Sequence, residues 1–213
     1  MLPKSLTHKF RKFPKTTNPL PYRRMENQKP LVWVVTLRPL GVNDPVDLRS
    51  SNAIGILRRV VTQYCHADWD TQPVFRSPKA TKRWIESSEN RDAAELLRCD
   101  FAARLMQAKP RHLIICGSTA REQAKRAMQR MEAYPSSSRA RETMPLCNPQ
   151  VVTTTDGRWM SVRAVRDLST FPNCVLHGNP LEKEYWSHVL QSIRDELRLH
   201  EFRKRVALQA CNL

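Results

Sequence analysis

His177 is the residue whose surroundings in the sequence are best suited to chemistry. It stands in Asn173-Cys174-Val175-Leu176-His177-Gly178-Asn179-Pro180, where a short apolar run meets a polar elbow and Pro180 then opens a helix. An imidazole there lies at the carboxyl end of a strand and beside a helix N-terminus, where open α/β sheets bind ligands. It can stabilise a departing anion or move a proton near neutral pH. The water-activating partner such chemistry needs is not assigned by the local pattern; Asp44 and Asp47, in and just after the loop that follows the first apolar run, could serve, and a solvated loop acid is the plain alternative for either. Ser118 and Thr119 are hydroxyls near a second elbow, Gly117-Ser118-Thr119, and their first explanation is helix capping. The six cysteines, Cys65, Cys99, Cys116, Cys147, Cys174 and Cys211, form no CxxC pair and have no metal-ligand spacing, so reduced thiols and no metal site are expected. Against the site reading stands the plain alternative that His177 to Pro180 is only a strand-to-helix turn.

These residues need elements to hold them. Leu31 to Val35 is a continuous apolar, β-rich run and predicts a buried strand. After a proline-bearing loop, a helix is expected with its cap near Ser50 or Ser51 and Ile54, Leu57 and Val61 on one face. Pro73 to Pro78 predicts a short strand ending in a basic loop at Arg76. The next helix is expected to be capped at Asn90, to carry Leu97, Phe101 and Leu105, and to stop at Pro110. His112 to Cys116 predicts a second buried strand, and Thr119 to Glu122 spells a capping box. Tyr134 to Pro149 reads as a surface loop. Val151 to Val162 reads as a hairpin closed by the two-residue turn Asp156-Gly157. Cys174 to Leu176 would be the last strand. The final helix carries Val189, Leu190, Ile193 and Leu197 and runs toward the C-terminus. Strands alternating with helices predict an α/β fold.

Charge points to the partner. Thirty-six Lys and Arg against twenty Asp and Glu give a net charge of +16, which favours a polyanion, nucleic acid before membrane. Residues 1–30 concentrate this charge. Lys4, Lys9, Arg11, Lys12, Lys15, Arg23, Arg24 and Lys29 face Glu26 alone, and five prolines prevent a continuous helix. This arm is expected to be flexible and to track phosphates. No apolar run reaches bilayer-spanning length and no secretory signal opens the chain, so an intracellular protein without a membrane partner is expected.

The stretch from Glu95 to Ala120, an acid-led helix with Cys99, a Lys109-Pro110 stop and a strand ending in Cys116-Gly117-Ser118-Thr119-Ala120, resembles the central signature of the uracil-DNA glycosylase superfamily, in its iron–sulfur bacterial-type branches. His177 to Pro180, with Trp186 and Arg194 to Leu197 after it, is similar to that family's closing His-Pro-Ser motif and terminal helix. Val35 to Gly41, followed by Asn52 to Leu57, resembles its first motif. The resemblance covers about residues 31–198. It implies a three-layer α/β/α sandwich with a four-stranded, mainly parallel sheet, a groove for DNA and a pocket for an extruded base. The small hairpin would be additional. The chain departs from the pattern at several points. Leu37 stands where many members carry a water-activating acid. Gln72 to Arg76 replaces the segment that supplies a base-reading asparagine, and Gly178 and Asn179 replace proline and serine. Of four cluster cysteines only Cys99 has a counterpart, so no iron–sulfur cofactor, and no cofactor of any kind, is expected.

The resulting expectation has three parts: a basic arm over 1–30, a glycosylase-like α/β domain over 31–200, and a basic extension of the last helix over 201–213. DNA, or alternatively RNA, would meet Lys9, Arg11, Lys12, Lys15, Arg23 and Arg24 of the arm. It would also meet Arg38, Pro39, Gly41, Arg76, Gly117, Ser118, Thr119 and Asn179 of the domain, with His177 and Asp44 as the catalytic candidates. Binding with a degenerate hydrolytic site is the first reading. An active DNA glycosylase of altered specificity and a basic structural part of a ribonucleoprotein or replication assembly are the others.

Overall fold

Strand β1, Val32–Thr36, is buried along its whole length because both of its faces are covered. A computed structural model describes residues 31–41, 45–64, 69–129, 149–154, 157–171 and 180–210. In these, β1 is followed by α1 (Pro45–Tyr64), β2 (Trp69–Pro73), the short α2 (Lys82–Glu86), α3 (Arg91–Ala108), β3 (His112–Cys116), α4 (Ser118–Gln129), β4 (Gln150–Thr153), β5 (Trp159–Val165) and α5 (Pro180–Ala210). Single 3-10 turns precede α3, at Ser88–Asn90, and follow β5, at Leu168–Thr170.

The strands form one five-stranded mixed sheet in the order β2-β1-β3-β5-β4. Four are parallel, and β4 alone runs against its neighbour β5. Side chains alternate across the sheet. Trp33, Val35, Leu113 and Ile115 pack with Phe101, Leu105, Ala124 and Met128 of α3 and α4. Val32, Val34, Ile114 and Cys116 pack with Leu57 and Val61 of α1 and with Trp186, Val189, Ile193 and Leu197 of α5. The result is an α/β arrangement of three layers. Trp186 alone touches Phe171 and Tyr185 ring to ring, at centroid distances of 4.8 and 5.3 Å. Each such fully buried large side chain contributes roughly 1.5–3 kcal/mol relative to exposure, so the first half of α5 is firmly seated.

Several expectations need correction. The hairpin is not a separate ornament: its second limb, β5, lies inside the sheet, parallel to β3. Residues 174–176 lie outside the described residues. At the hairpin's closed end Thr154 pairs with Arg158 (Thr154 N–H to Arg158 O, 2.7 Å) and Gly157 donates back to Thr154 O at 2.9 Å, while 155 and 156 lie outside the described residues. Gly157 has φ +75, a left-handed backbone that glycine adopts without strain. The second strand is Trp69–Pro73 rather than 73–78, and Val74 and Phe75 are buried just beyond it. Helix α1 starts at Pro45, whose fixed φ suits a first helical position, and not near Ser50, which is buried in its second turn. Asn90 does precede α3, but its side chain donates to Trp84 O at 3.2 Å instead of capping the helix. Helix α4 starts at Ser118, so Thr119 falls within its first turn and the capping-box spacing is not used. Pro110 is preceded by Lys109 in the left-handed region at φ 56, which ends α3.

Helix α5 is 31 residues long, about 46 Å at 1.5 Å per residue, whereas the strands it crosses span about 17–23 Å. It therefore overshoots the sheet. Its first turn meets Arg166 at the carboxyl end of β5, and its middle meets Arg163 in the interior of β5 and His112 at the opposite end of β3. Among the described residues no helix is long and apolar enough to cross a membrane.

Candidate functional site

The four parallel strands end on one edge, at Thr36, Pro73, Cys116 and Val165. Parallel strands leave diverging loops there, and a cleft of about 450 Å³ opens between them. Leu37, Arg38 and Leu40 enter it from the loop after β1, Gly117 to Arg121 from the start of α4, Arg166, Asp167, Leu168 and Thr170 from the segment after β5, and Ser50 from α1. Thr36 holds the first loop by donating its hydroxyl to Arg38 O at 3.0 Å.

Gly117 is what lets two of these loops touch. Its φ is +91, and a Cβ placed there would lie 3.0 Å from Asp167 Oδ2, so any side chain would be strained and would push the carboxylate away. Gly117 N–H donates to Val165 O at 2.9 Å, extending the β3–β5 pairing into the cleft. Asp167 in turn accepts from Ser169 N–H at 2.9 Å, which shapes the 3-10 turn. Arg166 is tied to α5: its Nη1 reaches Glu182 Oε1 at 2.6 Å, its guanidinium lies 4.3 Å from the Tyr185 ring centre, and its backbone N–H donates to Tyr185 Oη at 3.0 Å. Burial first, and the nearby Asp167 charge second, push the Cys116 thiol far up, so it stays protonated and serves as packing rather than as a nucleophile.

The structure brings together part of the expected set. Arg38, Gly117, Ser118 and Thr119 line one cleft, with Pro39 and Gly41 in the same loop. Arg76 is exposed, stands outside that lining, and approaches Asp100 at 3.9 Å. Its loop is nonetheless anchored beside the cleft. Phe75 N–H donates to Leu37 O at 3.0 Å, and Arg104 of α3 binds Asp100 (2.9 Å), Gln72 Oε1 (2.6 Å), Pro73 O (2.9 Å) and Val74 O (3.3 Å). His177, Asp44, Asn179 and the arm cations Lys9, Arg11, Lys12, Lys15, Arg23 and Arg24 lie outside the described residues, and so does Asp156; Asp47 falls in the first turn of α1.

Sequence reasoning missed Arg121, Arg166 and Asp167. The signal was the position of the last two directly after a strand, but that strand was read as a hairpin limb and its end was not placed at the edge of the sheet. Arg38, Arg121 and Arg166, the last already paired with Glu182, stand with the Asp167 carboxylate around the start of a 12-residue helix, so the concavity sets three cationic side chains beside one hydrogen-bond acceptor. The lining has no histidine among the described residues, and no group of three His, Cys, Asp or Glu there could hold a metal ion. A larger basin of about 760 Å³ between α2, α3 and α4 sets Lys82, Arg91, Arg98 and Arg126 against Glu86, Asp92, Glu95 and Glu122. Its buried Arg98 is already held by Glu95 at 2.6 Å and Gln123 at 2.8 Å, so it offers a polyanion no excess charge.

Compared with protein-family models and with curated proteins, the chain matches none.

Proposed function

We propose that this chain binds nucleic acid, DNA in the first instance, with phosphates on the basic arm and the rim of the cleft and an unstacked base inside it. The hydrolytic chemistry of a uracil-DNA-glycosylase-like site is degenerate in this reading. The observation that carries the reading is the convergence of Arg38, Arg121 and Arg166 at the carboxyl ends of four parallel strands, in a chain of net charge +16. Cations around a helix start suit phosphate oxygens, and a cleft of about 450 Å³ has room for a base. Support for the glycosylase-like part comes from the order of the sequence motifs together with the parallel sheet and its cleft. Support for lost chemistry comes from Leu37 on the cleft wall, where an acid would activate water.

The test is the affinity of a fluorescein-labelled single-stranded oligonucleotide measured across a salt series. Arg38→Ala with Arg121→Ala should lower the slope of log affinity against log salt by about 0.7 for each phosphate no longer neutralised, and removal of residues 1–30 should flatten it further. An unchanged slope in the folded double variant contradicts the cleft as the binding site. The same sequence as RNA distinguishes the two polymers. One observation favours an active enzyme of altered specificity as the second reading: Asp167 puts a carboxylate on the cleft wall that the resemblance does not supply.

A further inference from the structure

The solvent-facing line of α5 changes character along its length. At about 100° per residue, the positions opposite the buried Trp186, Val189, Ile193 and Leu197 are His188, Gln191 and Asp195, and then Leu199, Phe202 and Val206. The first three are polar and exposed, and Gln191 Nε2 donates to both Asp195 oxygens at 3.0 and 3.1 Å. The last three are apolar and also exposed, Phe202 by 64%. The change falls where the helix leaves the sheet: the His200 ring stands 5.4 Å from that of His112, the first residue of β3, and 201–210 continue beyond. An outward line that serves only solubility stays polar throughout. Exposed arginines border the apolar stripe, Arg198 and Arg205 on one side and Arg203 on the other.

We propose that the last turns of α5 are a docking ridge for an acidic amphipathic helix of another protein. Leu199, Phe202 and Val206 have the i, i+3, i+7 spacing with which a helix presents anchors, and the bordering arginines select glutamate and aspartate on the partner. A second copy of this chain would set arginine against arginine. The chain's own undescribed segments long enough to form a helix do not supply an acidic partner: residues 1–30 carry eight cations and one acid, 130–148 carry three cations and two acids, and 172–179 carry no Lys, Arg, Asp or Glu, while the remaining ones have four residues or fewer. A flat anionic bilayer fits less well, because the apolar stripe is about two turns long and Asp195 lies on the same line.

The experiment uses the full chain, a synthetic amphipathic peptide with leucines on one face and glutamates beside them, and a control peptide of equal charge with serines for leucines, read by fluorescence anisotropy at about 0.15 M salt. The leucine peptide is expected to bind on the order of tenfold tighter than the serine peptide. Phe202→Glu and Val206→Glu, both at exposed positions and each checked for an unchanged circular dichroism spectrum, should erase that preference, and Arg203→Glu with Arg205→Glu should weaken binding of the leucine peptide. Absent binding of the leucine peptide, equal binding of the serine peptide, or unchanged binding by Phe202→Glu overturns the proposal. So does a Phe202-dependent dimer, or Phe202-dependent capture by phosphatidylserine vesicles that exceeds capture of the peptide.

Discussion

Replacing Glu196 by glutamine should remove the charge that reconciles two basic side chains with the sheet interior. Glu196 Oε1 meets His112 Nδ1 at 2.8 Å, and Oε2 accepts from Arg163 Nη2 at 2.7 Å. Arg163, 2% exposed, also donates to Ser192 Oγ at 2.8 Å. Burial pushes the Glu196 carboxyl up, but hydrogen bonds from His112, Ser161 and Arg163 and the charge of His112 more than reverse this and hold it at about 2. Against an ordinary value of 4.5, at 1.36 kcal/mol per pH unit, the carboxylate contributes about 3 kcal/mol of stability at neutral pH. The folded value is the depressed one, so this contribution is complete above about pH 4.5 and is lost as pH falls toward 2. Glu196→Gln keeps the shape and leaves Arg163 buried without its counter-charge, a change whose cost is of the same order, about 3–5 kcal/mol. The assay is urea unfolding of both proteins from pH 7 down to pH 2.5. The expected difference is about 3 kcal/mol at pH 7, shrinking below pH 4.5. A difference under about 1 kcal/mol, or one that does not change with pH, refutes the reasoning, because it would mean that the surrounding donors gain nothing from the negative charge.

Arg104→Ala should destabilise the protein by about 3 kcal/mol, since it removes the one guanidinium that gathers Gln72 Oε1, Asp100 and two carbonyls; thermal unfolding checks it, and the Arg76 loop should become protease-sensitive in the same variant. Excision of uracil from a single-turnover oligonucleotide substrate should be absent or slow, because removing even one well-placed transition-state interaction costs on the order of a hundredfold. Rapid abasic-site formation that Asp167→Asn abolishes would reverse this outcome and promote the glycosylase reading.

What was legible in the sequence follows from local burial. The runs Leu31 to Val35 and His112 to Cys116 are apolar on both faces and read as interior strands, and the spacing of Val189, Leu190, Ile193 and Leu197 announced the amphipathic helix α5, of which Val189, Ile193 and Leu197 are buried and Leu190 partly so. What was hidden depends on distant pairing. β5 carries Arg163, whose burial is made tolerable by Glu196 thirty-three residues later, so its sequence looked like a half-solvated hairpin limb and not an interior parallel strand. β2 is an edge strand with half-buried Asp70, Gln72 and Pro73, and its polar residues masked it. With β5 misplaced, Arg166 and Asp167 could not be assigned to the cleft, although Arg38, Gly117, Ser118 and Thr119 were.

Whether an unstacked base enters the cleft is read by photo-crosslinking. A single-stranded oligonucleotide bearing a photoreactive base is irradiated with the full chain, and the adducts are mapped by mass spectrometry. Adducts are expected on the segments that line the cleft, 36–40, 117–121 and 166–170, with their loss in Arg38→Ala with Arg121→Ala. Adducts confined to residues 1–30, or placed on the α2–α3–α4 basin with the cleft unlabelled, would contradict it.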